Sequence, residues 1–395
     1  MNDLALSRRR FLQGLAAAST VPLWVRLVEP VRAAVPSPAA HLLVVFLSGG
    51  NDALNTVVPI RDSRYAKMRP RTGLTSAEVL NLNNGFAFNK ALAGLHTRWR
   101  SGQVAVIQGV GAPLPDFSHF SATAAWDTAS PDHRFHTGWL GRFVDTTPER
   151  NVGAIRAAAV GDVMPGALAA DGEPAVTLRT MDSFEYVDNG AYDAAARHEA
   201  FEIFAADSNA AGMRAAVTAA HRRAISVLDP IRAVSAQNTE AGAAKTIAQL
   251  FAAGLGTEIG FITVGGFDTH SLQRGEHANR LGQLDAVVTN FFAEAGRKGI
   301  ASKSSVLVVS EFGRRGPENR SDGTDHGHGG VAFLVGPRVA GGMYGVAPDL
   351  GALVDGNLTA PVDLRSVYAS VLEQVLGTDS TAVLGGRYPT LKLLK

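Results

Sequence analysis

Five short apolar runs, each closing on glycine or a polar residue, constrain this chain more than any other feature. They are "HLLVVFLSGGND" from residue 41, "VAVIQGVG" (104–111), "IGFITVGG" (259–266), "SVLVVSEFG" (305–313) and "VAFLVG" (331–336). A strand with one wet face alternates apolar and polar residues. These runs are apolar almost throughout, as parallel strands buried on both faces are. Ala-rich stretches with helical character lie between them, such as 191–207 and 275–296. In the second, Leu281, Leu284, Val288, Phe291 and Phe292 recur at helical spacing as core residues. Strand alternating with helix predicts an α/β fold, a parallel-rich central sheet with helices on both faces. Residues 185–257 are Ala-rich and nearly free of strand signal, so they read as a helical insertion within one domain spanning 34–395.

The first 33 residues stand apart from that fold. "SRRRFLQ" (7–13) matches a twin-arginine export signal, with two arginines before a Phe-Leu pair. The apolar stretch that follows, Gly14 to Val25, is shorter than the roughly 20 residues a spanning helix needs. Val31-Arg32-Ala33 offers a cleavage site. The expectation is a chain handled by the twin-arginine translocase, periplasmic or secreted, with no membrane span once processed. Removing residues 1–33 takes away five arginines and two acids, which turns the formal net charge from +1 to −2. A balance this even gives no electrostatic case for nucleic acid. Cysteine is absent, so any metal must sit on His, carboxylate or hydroxyl ligands.

In open α/β sheets, functional groups gather beyond the carboxyl ends of the strands. Asn51 and Asp52 follow the first run, Asp268 and His270 follow the third, and Glu311 follows the fourth. "DGTDHGHGG" (322–330) then places Asp325, His326 and His328 within four residues, in a chain with eleven histidines. Clustered imidazole and carboxylate point to a divalent metal, against the alternative of a polar surface turn. Asp52 by itself could equally close an Asx turn. A helix beginning near His119 can be capped by Asp116 or Ser118. Ser118 is thus either a helix cap or a nucleophile activated by a metal, and the residues leave both open.

Taken together, "SRRRFL", "FLSGGNDALNTVVP", "FSHFSATAAWDTAS", "TGWLGRFVD", "GGFDTHSLQ", "SEFGRR", "ENRSDGTDHGHGG" and "VDLRSVYASVLEQVLG" resemble the exported bacterial family called domain of unknown function 1501. By similarity that family is placed with the alkaline phosphatases and sulfatases. The resemblance implies an exported metal-dependent hydrolase of phosphate or sulfate esters acting on a small-molecule substrate. In that scheme Ser118 is the nucleophile, and His119 is either a general acid or, with His133 and His136, a substitute for the missing metal histidine. Asp52, Asp325 and His326 hold one ion, and Asp268, His270 and His328 a second; zinc, manganese and calcium all suit such ligands. Two departures stand out. The third loop reads Asp-x-His where the superfamily commonly has Asp-x-x-x-His, and no histidine follows His328. They motivate the rival expectation, a non-catalytic exported binding or assembly protein that keeps the fold and a partial metal site.

Overall fold

The apolar runs fold into the middle of one sheet. The structure, a computed structural model, describes residues 39–113, 116–150, 155–172, 175–178 and 239–395; the export segment and the 191–207 stretch lie outside them. Across the sheet the strands run Gly342–Gly345, Val104–Gly111, Gly330–Val335, Ser304–Ser310, His41–Leu47, Ile259–Val264, Ala157–Val160 and Val176–Leu178. Val362–Asp363 also pairs with Val104–Gly111. His41–Leu47 is parallel to both neighbours, with Leu42 opposite Ile259 on one side and Ser305 on the other. Its seven residues are all buried.

Because side chains alternate across a strand, this one strand feeds two cores. Leu43, Val45 and Leu47 join a cluster with the helices Glu240–Ala252 and Gln273–Arg297. Leu42, Val44 and Phe46 join another with His119–Thr128, Trp139–Thr146 and Leu364–Ser370. Helices therefore cover both faces. The long helix Gln273–Arg297 buries Leu281, Leu284, Val288, Phe291 and Phe292 as their spacing predicts. Each such side chain contributes about 1.5–3 kcal/mol of burial, and Leu284→Ala would cost about 2–5 kcal/mol.

One strand departs from expectation. Gly330–Val335 was expected to run parallel with the rest, yet it is antiparallel to both of its neighbours. Parallel neighbours need a crossover, usually a helix. Between Ser310 and Gly330 the chain forms no helix; it makes a short antiparallel pair, Gly313–Arg314 with His326–Gly327, and returns. The reversal has a functional consequence. It puts Asp325, His326 and His328, which precede this strand, at the carboxyl edge of the parallel strands.

Of the helical insertion expected over about 185–257, residues 185–238 lie outside the described residues. Its far end is the helix Glu240–Ala252, whose Ala244, Ile247, Ala248 and Phe251 pack into the same core as Gln273–Arg297. That end covers the sheet as part of its helical layer. No described helix is long and apolar enough to cross a membrane.

Candidate metal centre

Tight packing of loops at the carboxyl edge begins with Gly49. It has a φ of 118°, and a Cβ there would lie 2.3 Å from the backbone nitrogen of Asp268, so glycine lets the loops after the first and third runs touch. Gly49 N–H donates to Glu311 Oε1 at 2.7 Å. Fully buried Arg314 ties the remaining loops together. Its Nε donates to Gly50 O at 2.8 Å and its Nη1 to Thr324 O at 2.8 Å. Its Nη2 donates to Gly49 O, to Phe267 O at 3.2 Å and to Asp268 Oδ1 at 2.6 Å.

On this frame His119, Asp268 and His326 each offer one ligand atom, all within 4.8 Å of one another. Asp268 Oδ1 lies 3.0 Å from His326 Nε2 and 3.5 Å from His119 Nε2. His270 adds a third imidazole, its Nε2 3.0 Å from the same oxygen and 2.9 Å from His326 Nε2. Asp268 and His270 lie past the end of their strand at Val264, so the loop that follows brings them together.

The protons can be placed from the partners. His326 Nδ1 stands 2.8 Å from the carbonyl oxygen of Phe117, which can only accept, so Nδ1 carries the hydrogen and Nε2 turns a lone pair toward Asp268. His119 Nδ1 faces the Glu311 carboxylate at 2.9 Å in the same way, and its Nε2 is buried without a hydrogen-bond partner. His270 Nδ1 lies 3.5 Å from Asp325 Oδ1. Lone pairs and a carboxylate oxygen aimed at one point repel unless a positive charge sits among them. Imidazoles backed at the far nitrogen by carboxylate or carbonyl are how proteins orient metal ligands. Donor separations of about 3.3 Å are what a tetrahedral ion with 2.0–2.1 Å bonds requires. These residues fit a divalent cation.

Electrostatics agree with that fit. Burial pushes Asp268 up, but the Arg314 hydrogen bond and guanidinium charge outweigh it and hold the carboxyl down at about 2. Burial takes His326 below its usual value despite Asp268 and Phe117. The hydrogen bond to Glu311 raises His119.

Of the residues singled out from sequence, Asp268, His270 and His326 converge, and His119 joins them, the position of a substitute ligand and not of a separate acid. Asp325 stands behind His270, with Asn319 Nδ2 donating to its Oδ1 at 3.1 Å. His328 is outside the group; its ring packs edge-on against Phe117 at 4.6 Å between centroids, and burial lowers its pKa. Asp52 is sealed away as an ion-pair partner of Arg69 and the N-cap of Ala53–Thr56. Ser118 holds the N-cap position of His119–Thr128, but its hydroxyl makes no capping bond. Asp116 Oδ1 accepts from Ser118 N at 2.9 Å and from Ser121 Oγ at 2.5 Å. Sequence reasoning missed Arg314, Arg69 and Gln273, since nothing in a sequence marks a buried arginine. Glu311 did carry a signal, its place directly after an apolar run.

Residues 104–387 match the family described as "Protein of unknown function (DUF1501)". The chain belongs to this family. No curated protein sequence matches this DUF1501 member. Among solved structures it is similar to the lipoteichoic acid synthase LtaP from Listeria monocytogenes, at 9% identity over 89% of this chain and 75% of that one, with a TM-score of 0.41. A protein in the alkaline phosphatase superfamily from Vibrio parahaemolyticus gives 9% identity over 89% and 69%, with a TM-score of 0.43. TAB5 alkaline phosphatase, in a mutant with magnesium bound, gives 11% over 79% and 95%, at 0.36.

Proposed function

We propose that this DUF1501 chain is an exported, metal-dependent hydrolase of phosphate or sulfate esters. One observation carries the reading: Asp268 Oδ1 and the Nε2 atoms of His119 and His326 converge at the carboxyl edge, each imidazole fixed from behind by Glu311 or by the Phe117 carbonyl. His119, Asp268 and His326, with His270 alongside, would hold a divalent cation, which would supply Lewis acidity to an ester oxygen and lower the pKa of a neighbouring hydroxyl. Ser118 is the proposed nucleophile. It stands between Phe117 and His119, the two residues that reach the centre, at the start of a ten-residue helix, and its hydroxyl is not spent on capping. The helix's first N–H groups favour an anionic oxygen beside that hydroxyl. Glu311 keeps the proton of His119 on Nδ1, away from the reacting side. Arg314 keeps Asp268 ionised by direct contact with Oδ1.

Aryl phosphate and aryl sulfate esters test this without knowledge of the natural substrate. The processed chain, loaded with zinc, manganese or calcium in turn, is expected to cleave at least one of them. Ser118→Ala should lose turnover by orders of magnitude at normal metal content, and Ser118→Thr should keep part of it. A metal-loaded chain that cleaves none of these esters ends the hydrolase reading in favour of binding or assembly. Export is tested separately: with Arg8 and Arg9 both changed to lysine, unprocessed precursor should accumulate in the cytoplasm.

A further inference from the structure

We infer that the centre holds one divalent cation, and that Asp52 organises its loops through Gln273 instead of ligating a second ion; this rests on the metal-dependent reading above. Among the described residues, one group of three or more His, Asp or Glu side chains brings its ligand atoms within 4.8 Å, and Asp52 is not in it. The two-ion arrangement implied by the resemblance puts Asp52 on one ion, yet its side chain is 1% exposed and its oxygens are taken. Oδ1 accepts from Leu54 N at 3.1 Å. Oδ2 accepts from Gln273 Nε2 at 2.5 Å and from the Arg69 guanidinium. Arg69 is equally committed, donating from Nε to Gly316 O at 2.7 Å and from Nη2 to Arg315 O at 2.8 Å. A cation approaching Oδ2 would meet a fixed like charge in a place closed to solvent. Asp268 Oδ1 also meets a guanidinium, but that side chain is 46% exposed; at Asp52 the guanidinium and the closed ring of donors together leave a second ion no side from which to bind.

What Asp52 does instead is visible one residue further on. Gln273, held by Asp52, accepts at Oε1 from Thr269 Oγ1 at 3.0 Å and from Thr324 Oγ1 at 2.5 Å. Thr269 sits between Asp268 and His270, and Thr324 is two residues before His326. Thr324 N–H also donates to Thr269 O at 3.2 Å, so the two ligand-bearing loops are bonded to each other as well as to the glutamine. One carboxylate on the first loop therefore sets the spacing of the other two.

The processed chain, stripped of metal and titrated with zinc or manganese, should retain one equivalent after desalting, counted by mass spectrometry. His326→Ala should retain none. Two equivalents, with one lost in Asp52→Asn, would overturn the inference while leaving the hydrolase reading intact; no bound metal would overturn both. The positioning role has its own readout, which does not need Asp52→Asn to fold. Thr324→Val should weaken zinc affinity about tenfold with stoichiometry unchanged, the size of effect seen when a ligand's supporting hydrogen bonds are lost. Thr324→Ser should restore it. Zinc affinity in Thr324→Val equal to that of the unmodified chain would refute the link through Gln273.

Discussion

Asp52 and Asp268 occupy equivalent places, each just past one of two adjacent parallel strands and each paired with a fully buried arginine. Asp52 meets Arg69 with its side chain 1% exposed; Asp268 meets Arg314 with its side chain 46% exposed. Burial separates their uses. For Asp52 burial pushes the carboxyl up, the Arg69 charge and hydrogen bond bring it down, and the outcome is an anion locked in a closed ring of donors. Asp268 meets its arginine through Oδ1, and the same oxygen faces His119, His270 and His326 across an open side. Equal residue types at equal topological positions have become an internal strut and a proposed ligand, and the deciding variable is how many sides the donors close.

Truncating each aspartate is the strongest way to break that comparison. Asp52→Ala leaves Arg69 buried without its counter-charge, a defect that typically costs about 3–5 kcal/mol. Urea denaturation should show that loss. Asp268→Ala also takes the counter-charge from buried Arg314, but that guanidinium keeps the carbonyls of Gly49, Gly50, Phe267 and Thr324 as acceptors, so stability should fall less, while metal affinity should drop about 100-fold or more. If Asp268→Ala proves the more destabilising of the two, the division into strut and ligand is wrong.

A smaller effect separates the buried histidine behind Asp52 from the histidines of the centre. His277 Nε2 meets Asn51 Oδ1 at 2.9 Å, and burial lowers its pKa to about 4. An unfolded histidine titrates near its ordinary value, about 6.5. Between those two values the unfolded chain binds more protons than the folded one, so this contribution is complete above about pH 6.5. It is lost as pH falls toward 4, amounting to about 3 kcal/mol. His41, also buried and lowered to about 4, adds a slope of the same sign. Denaturation midpoints at pH 7.5, 5.5 and 4.5 should therefore fall steadily, and His277→Gln should remove about half of that slope. A slope unchanged in His277→Gln would mean that the ring is not held neutral by the fold.

Much of this architecture was legible because burial on two faces writes itself into sequence. All five apolar runs are strands, and the aspartates and histidines after them do sit at one edge. The direction of Gly330–Val335 was not legible, since an apolar run has no polarity; the missing helix between Ser310 and Gly330 was the available clue. For the candidate centre, ligand clustering singled out Asp268, His270 and His326, and these side chains converge. It could not sort Asp52 from Asp268, because both meet a buried arginine and what distinguishes them is enclosure, completed at Asp52 by Gln273 from 221 residues away. His119 drew attention through its neighbour Ser118, and its meeting with Glu311 across 192 residues could not be read from spacing.

The smallest expected effect concerns two histidines separated by one glycine. His326 points Nε2 at Asp268, whereas His328 lies on Phe117 and contributes no atom to the converging group. Pleating explains part of this difference: residues two apart in an extended strand share a face, but the strand His326–Gly327 ends before His328, and the chain bends before Gly330–Val335 begins. Gly313 N–H donates to His328 O at 3.2 Å, so His328 is held by its backbone and is free to turn its ring elsewhere. His328→Gln should leave zinc affinity within about twofold of the unmodified chain, a change below about 0.5 kcal/mol. It should cost about 1 kcal/mol of stability through the lost ring contact with Phe117. His326→Gln, by contrast, should abolish tight binding. Should the two variants lose zinc equally, His328 is a ligand after all, and the bend at Gly329 would have to open when metal binds.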